Sequence, residues 1–470
     1  MLASDSFDVA IIGAGVLGAA VAERLSRTTA RVCVLEAESD VAEHATKGNA
    51  GIAVSYYGPP GTLETDLINA SVPRWDDLCA RLDVPYRKIG AVMIAMDEAE
   101  QARLEHTLDE VHECGARAEL IGRTEVLERE PLVNASVLAG LVLPDEGIID
   151  PMRLTAAFAR LAALNGVQFR FRHQVSALDF DSDRWTVTAG DERITARFIV
   201  NASGVAASAV SALAGGEPLQ SWPRRGQYAV LDRAYGERMS SIVFSTHLPD
   251  TKGVNVVPTT HGSVLVGPTA DDILDPEDRA TDHETIESLI HRAARLVPSV
   301  VSAPVIKTFA ANRPAGDEQH RLRFDAVAPA LLHVTDRSAG VSISPAAAEY
   351  AVELLSQAGL DVSERSDVQH ALPAFPRLRT SPNPQELVDR DPLYGQIVCA
   401  CEHVSAAEIE NALSEPVAAT SIDGVRKRTG ASYGRCQGSL CLAGISFMTA
   451  MHTDAGPASV LQTSRGAVGE

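Results

Sequence analysis

The sequence predicts an α/β fold that carries an antiparallel α+β lobe and a small helical module at its C-terminal end. The first observation is a short apolar strand from Asp8 to Ile12 that leads through glycines into an alanine-rich helix. The second is a change, between Pro223 and Gly316, to alternating strands with turn signals. The third is a group of four cysteines in the last quarter of the chain. Together they predict a large two-lobed domain followed by a separate module.

The composition is that of an acidic globular protein, with 470 residues, 45% of them hydrophobic, and a net charge of −21. This acidity repels polyanions, so we expect no nucleic-acid partner. No apolar run reaches the ~20 residues of a spanning helix, and Asp5 and Asp8 precede the first apolar stretch, unlike a signal peptide. Seven cysteines in so long a chain do not suggest a disulfide scaffold. The predicted location is the cytoplasm, with peripheral contact at the inner face of the membrane as the alternative.

The N-terminal glycines have the spacing Gly13-x-Gly15-x-x-Gly18 between a strand and a helix. The first glycine permits a tight turn, the second lets the backbone approach a pyrophosphate, and the third lets the helix pack on the strand. Glu36 ends the second strand, where an acid accepts hydrogen bonds from ribose hydroxyls. A glycine-rich turn without a ligand is the alternative. The order of strand, turn, helix, strand and acid predicts a Rossmann-like dinucleotide-binding domain.

Small residues in two later segments favour FAD over NAD. The segment ATKGNAGI at 45–52 suits a loop that passes along a flavin's diphosphate and ring. The segment NASG at 201–204 ends a strand with residues that let the backbone approach the cofactor again. Glycine-rich loops are common between strands, so neither segment decides the cofactor alone.

Several ordered segments resemble the D-amino-acid-oxidase superfamily of FAD-dependent oxidoreductases, and within it the anaerobic-type glycerol-3-phosphate dehydrogenases and their 2-hydroxyglutarate dehydrogenase relatives. The matching segments are TKGNAGI at 46–52, PGTL at 60–63, GIIDP at 147–151, PRRGQY at 223–228, VGPT at 266–269 and FAANR at 309–313. The resemblance implies that the backbone at Val175 meets the adenine and that a turn at 340–342 lies by the flavin's pyrimidine edge. The residues predicted to bind FAD are Gly13, Gly15, Val16, Leu17, Gly18, Glu36, Thr46, Lys47, Gly48, Asn49, Gly51, Ile52, Val175, Ala202, Gly204, Gly340, Val341 and Ser342.

Four cysteines form two close pairs, Cys399-x-Cys401 and Cys436-x-x-x-x-Cys441. Two pairs of thiolates can hold tetrahedral zinc or a [2Fe-2S] cluster, and spacing alone leaves both open. The residues around them resemble the bacterioferritin-associated-ferredoxin-like module, which implies that all four are ligands of a [2Fe-2S] cluster. Buried free thiols are a further alternative. The three other cysteines are predicted to be core residues.

Arg313 is the predicted anchor of the substrate. At this position the family carries an arginine that holds the substrate's phosphate or carboxylate, and a planar guanidinium suits either anion. A surface arginine is the alternative. Tyr228, on the strand after PRRG, is predicted to close the same pocket, with a core tyrosine as its alternative.

Val54 departs from the pattern of the family. Its alcohol-oxidising members carry a histidine in this loop, and alcohol oxidation needs a base for the hydroxyl proton. An amine can be oxidised as its neutral form without a strong base, so Val54 favours an amino-acid, imino-acid or opine substrate. His261 is predicted on a hairpin tip and His333 in a buried strand, and both are poor replacements.

The leading hypothesis is an FAD-dependent dehydrogenase that oxidises a small anionic substrate of glycerol-3-phosphate or 2-hydroxy-acid type. Electrons would pass through FAD and the [2Fe-2S] cluster to a quinone or redox protein. One alternative is an amine, amino-acid or opine dehydrogenase that acts as a subunit of a complex. Another is an electron-transfer or redox-responsive protein whose substrate site has decayed.

The predicted domain organisation divides the chain into four parts. They are an FAD-dependent oxidoreductase at 1–371, a linker at 372–394, a helical [2Fe-2S]-binding domain at 395–455 and a flexible tail at 456–470. Within the oxidoreductase, the Rossmann-like FAD-binding parts are at about 1–90, 145–215 and 325–371. The antiparallel substrate lobe is at about 91–144 and 216–324. The linker is rich in proline, arginine and serine, so few contacts are expected across it.

Overall fold

The structure is a computed structural model that describes residues 5–246, 253–316, 320–453 and 460. The predicted tail at 456–470 lies outside the described residues except for Val460. Within the described residues, no helix is both long and apolar enough to cross a membrane.

The chain forms fourteen α-helices within these described ranges. They are α1 Val16–Leu25, α2 Leu63–Ser71, α3 Trp75–Leu82, α4 Glu98–Glu113, α5 Arg123–Arg129, α6 Pro151–Leu164, α7 Ala207–Leu213, α8 Arg233–Gly236, α9 His283–Leu296, α10 Gly340–Gln357, α11 Pro384–Arg390, α12 Ala406–Ser414, α13 Ile422–Thr429 and α14 Leu442–His452.

The same described ranges contain twenty-two strands. They are β1 Asp5–Ile12, β2 Val32–Leu35, β3 Ile52–Ala53, β4 Tyr86–Lys88, β5 Ala91–Ala95, β6 Glu119–Gly122, β7 Ala139–Leu143, β8 Gly147–Ile149, β9 Gln168–Arg170, β10 Val175–Asp181, β11 Arg184–Ala189, β12 Glu192–Asn201, β13 Ser221–Leu231, β14 Ile242–Ser245, β15 Asn255–Pro258, β16 Val264–Gly267, β17 Asp271–Asp272, β18 Val305–Gly316, β19 His320–Phe324, β20 Leu331–Asp336, β21 Ile397–Cys399 and β22 Val404–Ser405.

The first sheet is built around β1, in the order β10-β11-β12-β1-β2-β9, with β20 beside β12 and β19 beside β20. Strands β2, β1, β12 and β20 run parallel to one another. Val9 and Ile11 belong to the core cluster that includes residues of α1 and α6, whereas Ala10 and Ile12 belong to the cluster on the other face. Both faces of β1 are therefore buried, which explains its continuous apolar run.

The second sheet has the order β17-β13-β16-β15-β14-β5-β7-β6, with β18 beside β13. All of its pairs are antiparallel except β14 with β5. Helix α9 packs its apolar residues, such as Leu289 and Ala293, into the core of this sheet. The α/β class with an antiparallel α+β lobe is confirmed.

The C-terminal module contains the short β21–β22 pair and helices α12, α13 and α14 around a small apolar core. The segment predicted as a linker with few contacts is ordered instead, and α11 lies within it. Leu372, Leu387 and Tyr394 are buried, and Arg377 donates to both carboxylate oxygens of Asp83 at 3.1 and 2.8 Å. Its arginines make specific contacts with neighbouring elements, Arg377 with Asp83 and Arg379 with Glu402, which composition alone does not reveal. The other domain boundaries stay predictions.

Candidate flavin and iron–sulfur sites

The glycine turn after β1 brings three backbone segments together without intervening side chains. Gly13 has φ +102°, and a Cβ there would lie 2.6 Å from the carbonyl oxygen of Ala202. A Cβ on Gly18 would lie 2.0 Å from the carbonyl oxygen of Gly13, so α1 packs directly on the turn. Gly204 has φ +60° and also leaves the end of β12 free of a side chain. Such close packing is what a dinucleotide site requires.

The first turn of α1 is open to a phosphate group. Gly15 is the N-cap and contributes no side-chain cap, and a Cβ on it would meet only the Thr46 hydroxyl, at 3.5 Å. The Val16 amide donates to that hydroxyl at 3.1 Å, and Leu17 follows in the same turn. Because amides at a helix N-terminus bind phosphate, these residues fit the diphosphate of FAD.

The Glu36 carboxylate lies beyond the end of β2, beside the glycine turn. It accepts hydrogen bonds from the Ala14 amide at 2.7 Å and from the Glu38 amide at 2.9 Å. Burial raises the pKa of Glu36. The His173 amide donates to the Glu36 carbonyl oxygen at 2.8 Å, so the start of β10, with Val175, lies near this acid. The predicted ribose acid and the predicted adenine neighbour are therefore close together.

The loop at 46–52 packs on β8. Gly51 has φ +70°, and a Cβ on it would lie 2.5 Å from the carbonyl oxygen of Ile149. The Asn49 side chain accepts a hydrogen bond from the Gly51 amide at 2.8 Å. The close approach of the loop backbone to β8 therefore explains Gly51, and the hydrogen bond within the loop explains Asn49.

Residues 340–342 form the first turn of α10 rather than an isolated turn. The Ser342 hydroxyl donates to the carbonyl oxygen of Ile52 at 3.1 Å and accepts from the amide of Val54 at 3.0 Å. Gly340 begins the helix and Val341 is buried below it. The positive end of this helix therefore adjoins the predicted FAD loop, where it can stabilise negative charge.

The Lys47 side chain is committed to the C-terminal module. Its ammonium lies 3.1 Å from the Glu43 carboxylate and also pairs with Asp423 of α13. The sequence predicts Lys47 as a cofactor residue, because it stands in the glycine-rich loop. The ion pairs account for its side chain, so contact with FAD would have to come from its backbone.

Strands β13 and β18 carry the predicted substrate residues. Tyr228 lies opposite Phe309, and their rings stack with centroids 5.0 Å apart. Since residues two apart in a strand share a face, Phe309, Ala311 and Arg313 point the same way. A Cβ on Gly48 would lie 1.9 Å from the Ala311 Cβ, so the FAD loop meets this face. Burial raises the pKa of Tyr228 and lowers that of Arg313.

Arg337 is a second cationic residue near Arg313 that sequence analysis missed. After burial itself, Arg224 and Arg337 lower the pKa of Arg313 by repelling its charge. Arg337 directly follows β20, at the carboxyl end of a parallel strand. Ligands of open α/β sheets bind at these ends, which is the signal that could have found it.

A buried pair of carboxyl groups lies in the same region. Glu64 of α2 hydrogen-bonds to Asp336, the last residue of β20. Burial and, next, the neighbouring Asp336 raise the pKa of Glu64 to about 9, while Arg337 acts in the opposite direction. Glu64 therefore stays protonated at neutral pH.

His261 and His333, the two histidines considered as alternative catalytic bases, each pair with an aspartate. His261 lies on the β15–β16 turn, as predicted, with Nε2 2.8 Å from Asp150 Oδ2, and its ring makes an edge contact with Tyr433. His333 lies on β20 with no exposed surface, and its Nε2 is 2.9 Å from Asp325.

The Asp325–His333 pair approaches Glu217 closely enough to resemble a metal site. Asp325, however, already accepts hydrogen bonds from the amides of Glu217, Val327 and Ala328, and Glu217 pairs with Arg323. These contacts satisfy the group, so we interpret it as structural.

The four cysteines of the module lie in two pairs. Cys399 contacts Cys441, and Cys401 contacts Cys436. Among the described residues, no three cysteine sulfurs lie within 4.8 Å of one another. Tetrahedral zinc would hold all four sulfurs about 3.8 Å apart, given its bond length to sulfur. The arrangement instead fits a cluster in which each of two irons takes two thiolates.

Backbone amides surround these sulfurs. Those that donate to a cysteine sulfur belong to Glu402, Ser432, Cys436, Gly438, Ser439 and Leu440. A Cβ on Gly434 would lie 2.4 Å from the Cys401 Cβ, so the chain passes directly under this ligand. Amide donors stabilise thiolate charge and tune a cluster's potential, so the residues fit the [2Fe-2S] group.

The three remaining cysteines, Cys33, Cys79 and Cys114, are buried outside the module. Burial raises the pKa of Cys33 and Cys79 to about 12, so their thiols stay protonated.

These features define a dinucleotide-binding oxidoreductase with an iron–sulfur module. They are the glycine turn with its acid, the antiparallel sheet with a buried arginine, and the two thiolate pairs. The chain belongs to the FAD dependent oxidoreductase (DAO) family, whose model matches residues 8–354. A BFD-like [2Fe-2S] binding domain matches residues 397–447. The predictions of FAD, a [2Fe-2S] cluster and dehydrogenase chemistry are thus confirmed.

Similar proteins agree with this assignment. Glycerol 3-phosphate dehydrogenase of Caloramator mitchellensis is 30% identical over 93% of this chain and 92% of its own length. Anaerobic glycerol-3-phosphate dehydrogenase subunit A1 of Haloferax volcanii is 25% identical over 92% of this chain and 81% of its own. The structure of L-alpha-glycerophosphate oxidase from Mycoplasma pneumoniae, with FAD bound, matches at a TM-score of 0.74 and 26% identity over 79% of this chain and 99% of its own.

Proposed function

We propose that this dehydrogenase oxidises a small anionic substrate of glycerol-3-phosphate or 2-hydroxy-acid type and passes electrons through the cluster to a quinone or redox protein. The observation that carries the proposal is the position of Arg313, on the face of β18 that meets the FAD loop. The relatives named for glycerol 3-phosphate support the substrate class. The predicted cytoplasmic location stays a prediction.

Two arginines give the pocket its preference for anions. Arg313 is the proposed anchor of the substrate's phosphate or carboxylate, and Arg337 adds a second positive charge. Two cations suit a doubly charged phosphate better than a single carboxylate. This proposal therefore favours glycerol-3-phosphate over a simple amino acid.

The apolar wall orients the substrate and excludes water. Tyr228 and Phe309 stack beside Arg313, and the contact between Gly48 and Ala311 fixes the distance from this wall to the FAD loop. FAD supplies the hydride acceptor when it is bound. The chain's own contribution is to hold the substrate in one orientation, which lowers the entropic part of the barrier.

Val54 supports a second candidate function, oxidation of an amine. Its side chain packs against the apolar cluster that contains Leu67, Ile68 and Ile343, so no imidazole stands where alcohol-oxidising relatives are expected to have one. An amine substrate in its neutral form needs no base at this place.

The module supports electron transfer to an external acceptor. Cys399 and Cys441 are 1% exposed, whereas Cys401 and Cys436 are half-buried, so the latter pair faces the surface. The relative from Haloferax volcanii is named as a subunit, which supports a complex as the acceptor.

The test is anaerobic mixing of the holoenzyme with glycerol-3-phosphate, 2-hydroxyglutarate, proline or an opine while flavin absorbance is recorded. Bleaching by glycerol-3-phosphate at a rate reduced about 100-fold or more in Arg313→Gln is expected. Arg117→Gln, which alters an exposed arginine that pairs with Asp145, is the matched control and should be nearly normal. Bleaching by amines alone would select the second candidate, and no bleaching by any substrate would indicate a decayed site.

A further inference from the structure

A small cavity lies where the FAD domain, the linker segment and the C-terminal module meet. Its volume is about 60 Å³, and its walls include Arg153 and Arg160 of α6, Arg377 before α11 and Arg428 of α13. At about 15 Å³ per water-sized atom, the cavity has room for a phosphate, sulfate or carboxylate group. Three acids, Asp83, Glu408 and Glu415, also belong to the wall, so the question is which arginine donors these acids leave without an acceptor.

Arg153 is one of two arginines of this wall, with Arg160, whose buried Nε has no hydrogen-bond partner among the described residues. Arg153 is 9% exposed. The nearest carboxylate oxygen, Oδ2 of Asp150, is 3.6 Å from Nε. Asp150 is already used, since Oδ1 accepts from the amides of Met152 and Arg153 and Oδ2 pairs with His261.

The other arginines of the wall have carboxylate partners. Arg377 binds both oxygens of Asp83, and Arg428 binds Glu415 at 2.6 Å and both oxygens of Asp40 at 2.8 Å. Arg160 is 3.4 Å from Glu415, and its own Nε is buried without a partner.

The remaining acid of the wall does not offset Arg153 either. Glu408 is held by the amide and hydroxyl of Ser405 at 3.0 and 2.8 Å in the capping box of α12. Burial and repulsion by Arg377 lower the pKa of Arg153, but an arginine stays charged in proteins. Among the described residues, the buried Nε of Arg153 is therefore a donor for which the wall offers no hydrogen-bond acceptor.

We propose that this cavity binds a small oxyanion between Arg153 and Arg377: inorganic phosphate or sulfate, or the phosphate or carboxylate end of a metabolite. A buried N–H donor without an acceptor is costly, and a bound anion would supply the acceptors that the Nε atoms of Arg153 and Arg160 lack. Because the walls come from three parts of the chain, the anion would also fasten the module to the FAD domain. This site is separate from the pocket of Arg313.

The test uses the holoenzyme with FAD and cluster intact, in an Arg313→Gln background so that substrate binding at Arg313 does not contribute. Inorganic phosphate is titrated by calorimetry and by thermal unfolding, against chloride at the same ionic strength. We expect saturable phosphate binding and a rise in the unfolding temperature. Arg153→Gln should weaken the binding at least 10-fold, whereas Arg117→Gln at the exposed surface should leave it unchanged.

Further arms distinguish the source of the anion. Sulfate and phosphate binding equally would indicate an inorganic ion, and glycerol-3-phosphate binding more tightly than phosphate would indicate a metabolite. Arg160→Gln provides a second variant if Arg153→Gln does not fold. Two outcomes would contradict the proposal. If phosphate binds no better than chloride to the parent protein, or if the folded variants bind phosphate as well as the parent does, the cavity does not bind an oxyanion.

Discussion

Lys47 and Asp423 form an ion pair between the predicted FAD loop and helix α13 of the iron–sulfur module. The aspartate is 6% exposed and the lysine 30%, so the pair is largely withdrawn from water. Glu43, four residues before Lys47, pairs with both Lys47 and Lys427. The loop that adjoins the flavin site is therefore also the surface on which the module docks.

Asp423→Asn should loosen the module. The substitution keeps the shape of the side chain but leaves the charge of Lys47 poorly compensated, which should cost about 2 kcal/mol of unfolding free energy. Denaturant unfolding, with limited proteolysis of residues 372–394, measures the effect. Lys88→Met removes the more exposed pair with Asp145 and should cost less than about 1 kcal/mol. If both variants lose the same unfolding free energy, the interface pair contributes no more to stability than the exposed pair does.

Cys436→Ser should remove the cluster while leaving the flavin in place. Iron and acid-labile sulfide should fall from about two of each per chain to near zero, because one iron loses a thiolate ligand. Cys79→Ala, which alters a buried thiol outside the module, is the control and should keep both. One zinc per chain and no sulfide in the parent protein would contradict the [2Fe-2S] assignment.

Local patterns explain what the sequence could predict. Gly18 is required by its contact with Gly13 within one turn, and four cysteines at short spacings indicate a metal or cluster site without knowledge of the fold. The partner of Lys47 could not be predicted, because Asp423 is distant in the chain and only the docked module brings it close. The cavity at Arg153 could not be predicted for the same reason, since its walls come from the FAD domain, the linker segment and the C-terminal module. The position of Arg337 directly after β20 indicates a ligand-binding residue, but only once the strand order shows that β20 belongs to the parallel part of the sheet.

The stability of the protein should depend on Glu146. This residue is fully buried, and its Oε1 accepts hydrogen bonds from the amide and hydroxyl of Ser55 at 2.7 and 2.9 Å. Burial raises its pKa to about 7, from an ordinary value of 4.5. Between these two values the unfolded chain releases a proton that the folded chain keeps, so the free energy of unfolding falls as pH rises. Above about pH 7 the loss is complete.

Glu146→Gln should remove this pH dependence, since an amide cannot ionise but still accepts from Ser55 through its oxygen. Relative to the parent, the variant should gain up to about 3 kcal/mol of unfolding free energy between pH 4 and pH 8. Denaturant unfolding at both pH values measures the gain. Glu119→Gln changes an exposed glutamate and should follow the parent. A Glu146→Gln curve parallel to the parent would show that Glu146 titrates normally.

Val54→His should separate the alcohol and amine hypotheses. The Val54 amide is fixed by Ser342, so an imidazole would enter the loop where alcohol-oxidising relatives are expected to carry one. If the substrate is an alcohol, a base at this position should raise the rate of flavin reduction about 10-fold or more and add an ionisation near pH 6.5 to its pH profile. Val54→Leu controls for added bulk against the apolar cluster that contains Leu67 and Ile68. An amine in its neutral form needs no such base, so with an amine substrate the rate of flavin reduction should be the same in Val54→His and Val54→Leu. If the two variants also reduce flavin at equal rates with glycerol-3-phosphate, the base for alcohol oxidation must lie elsewhere.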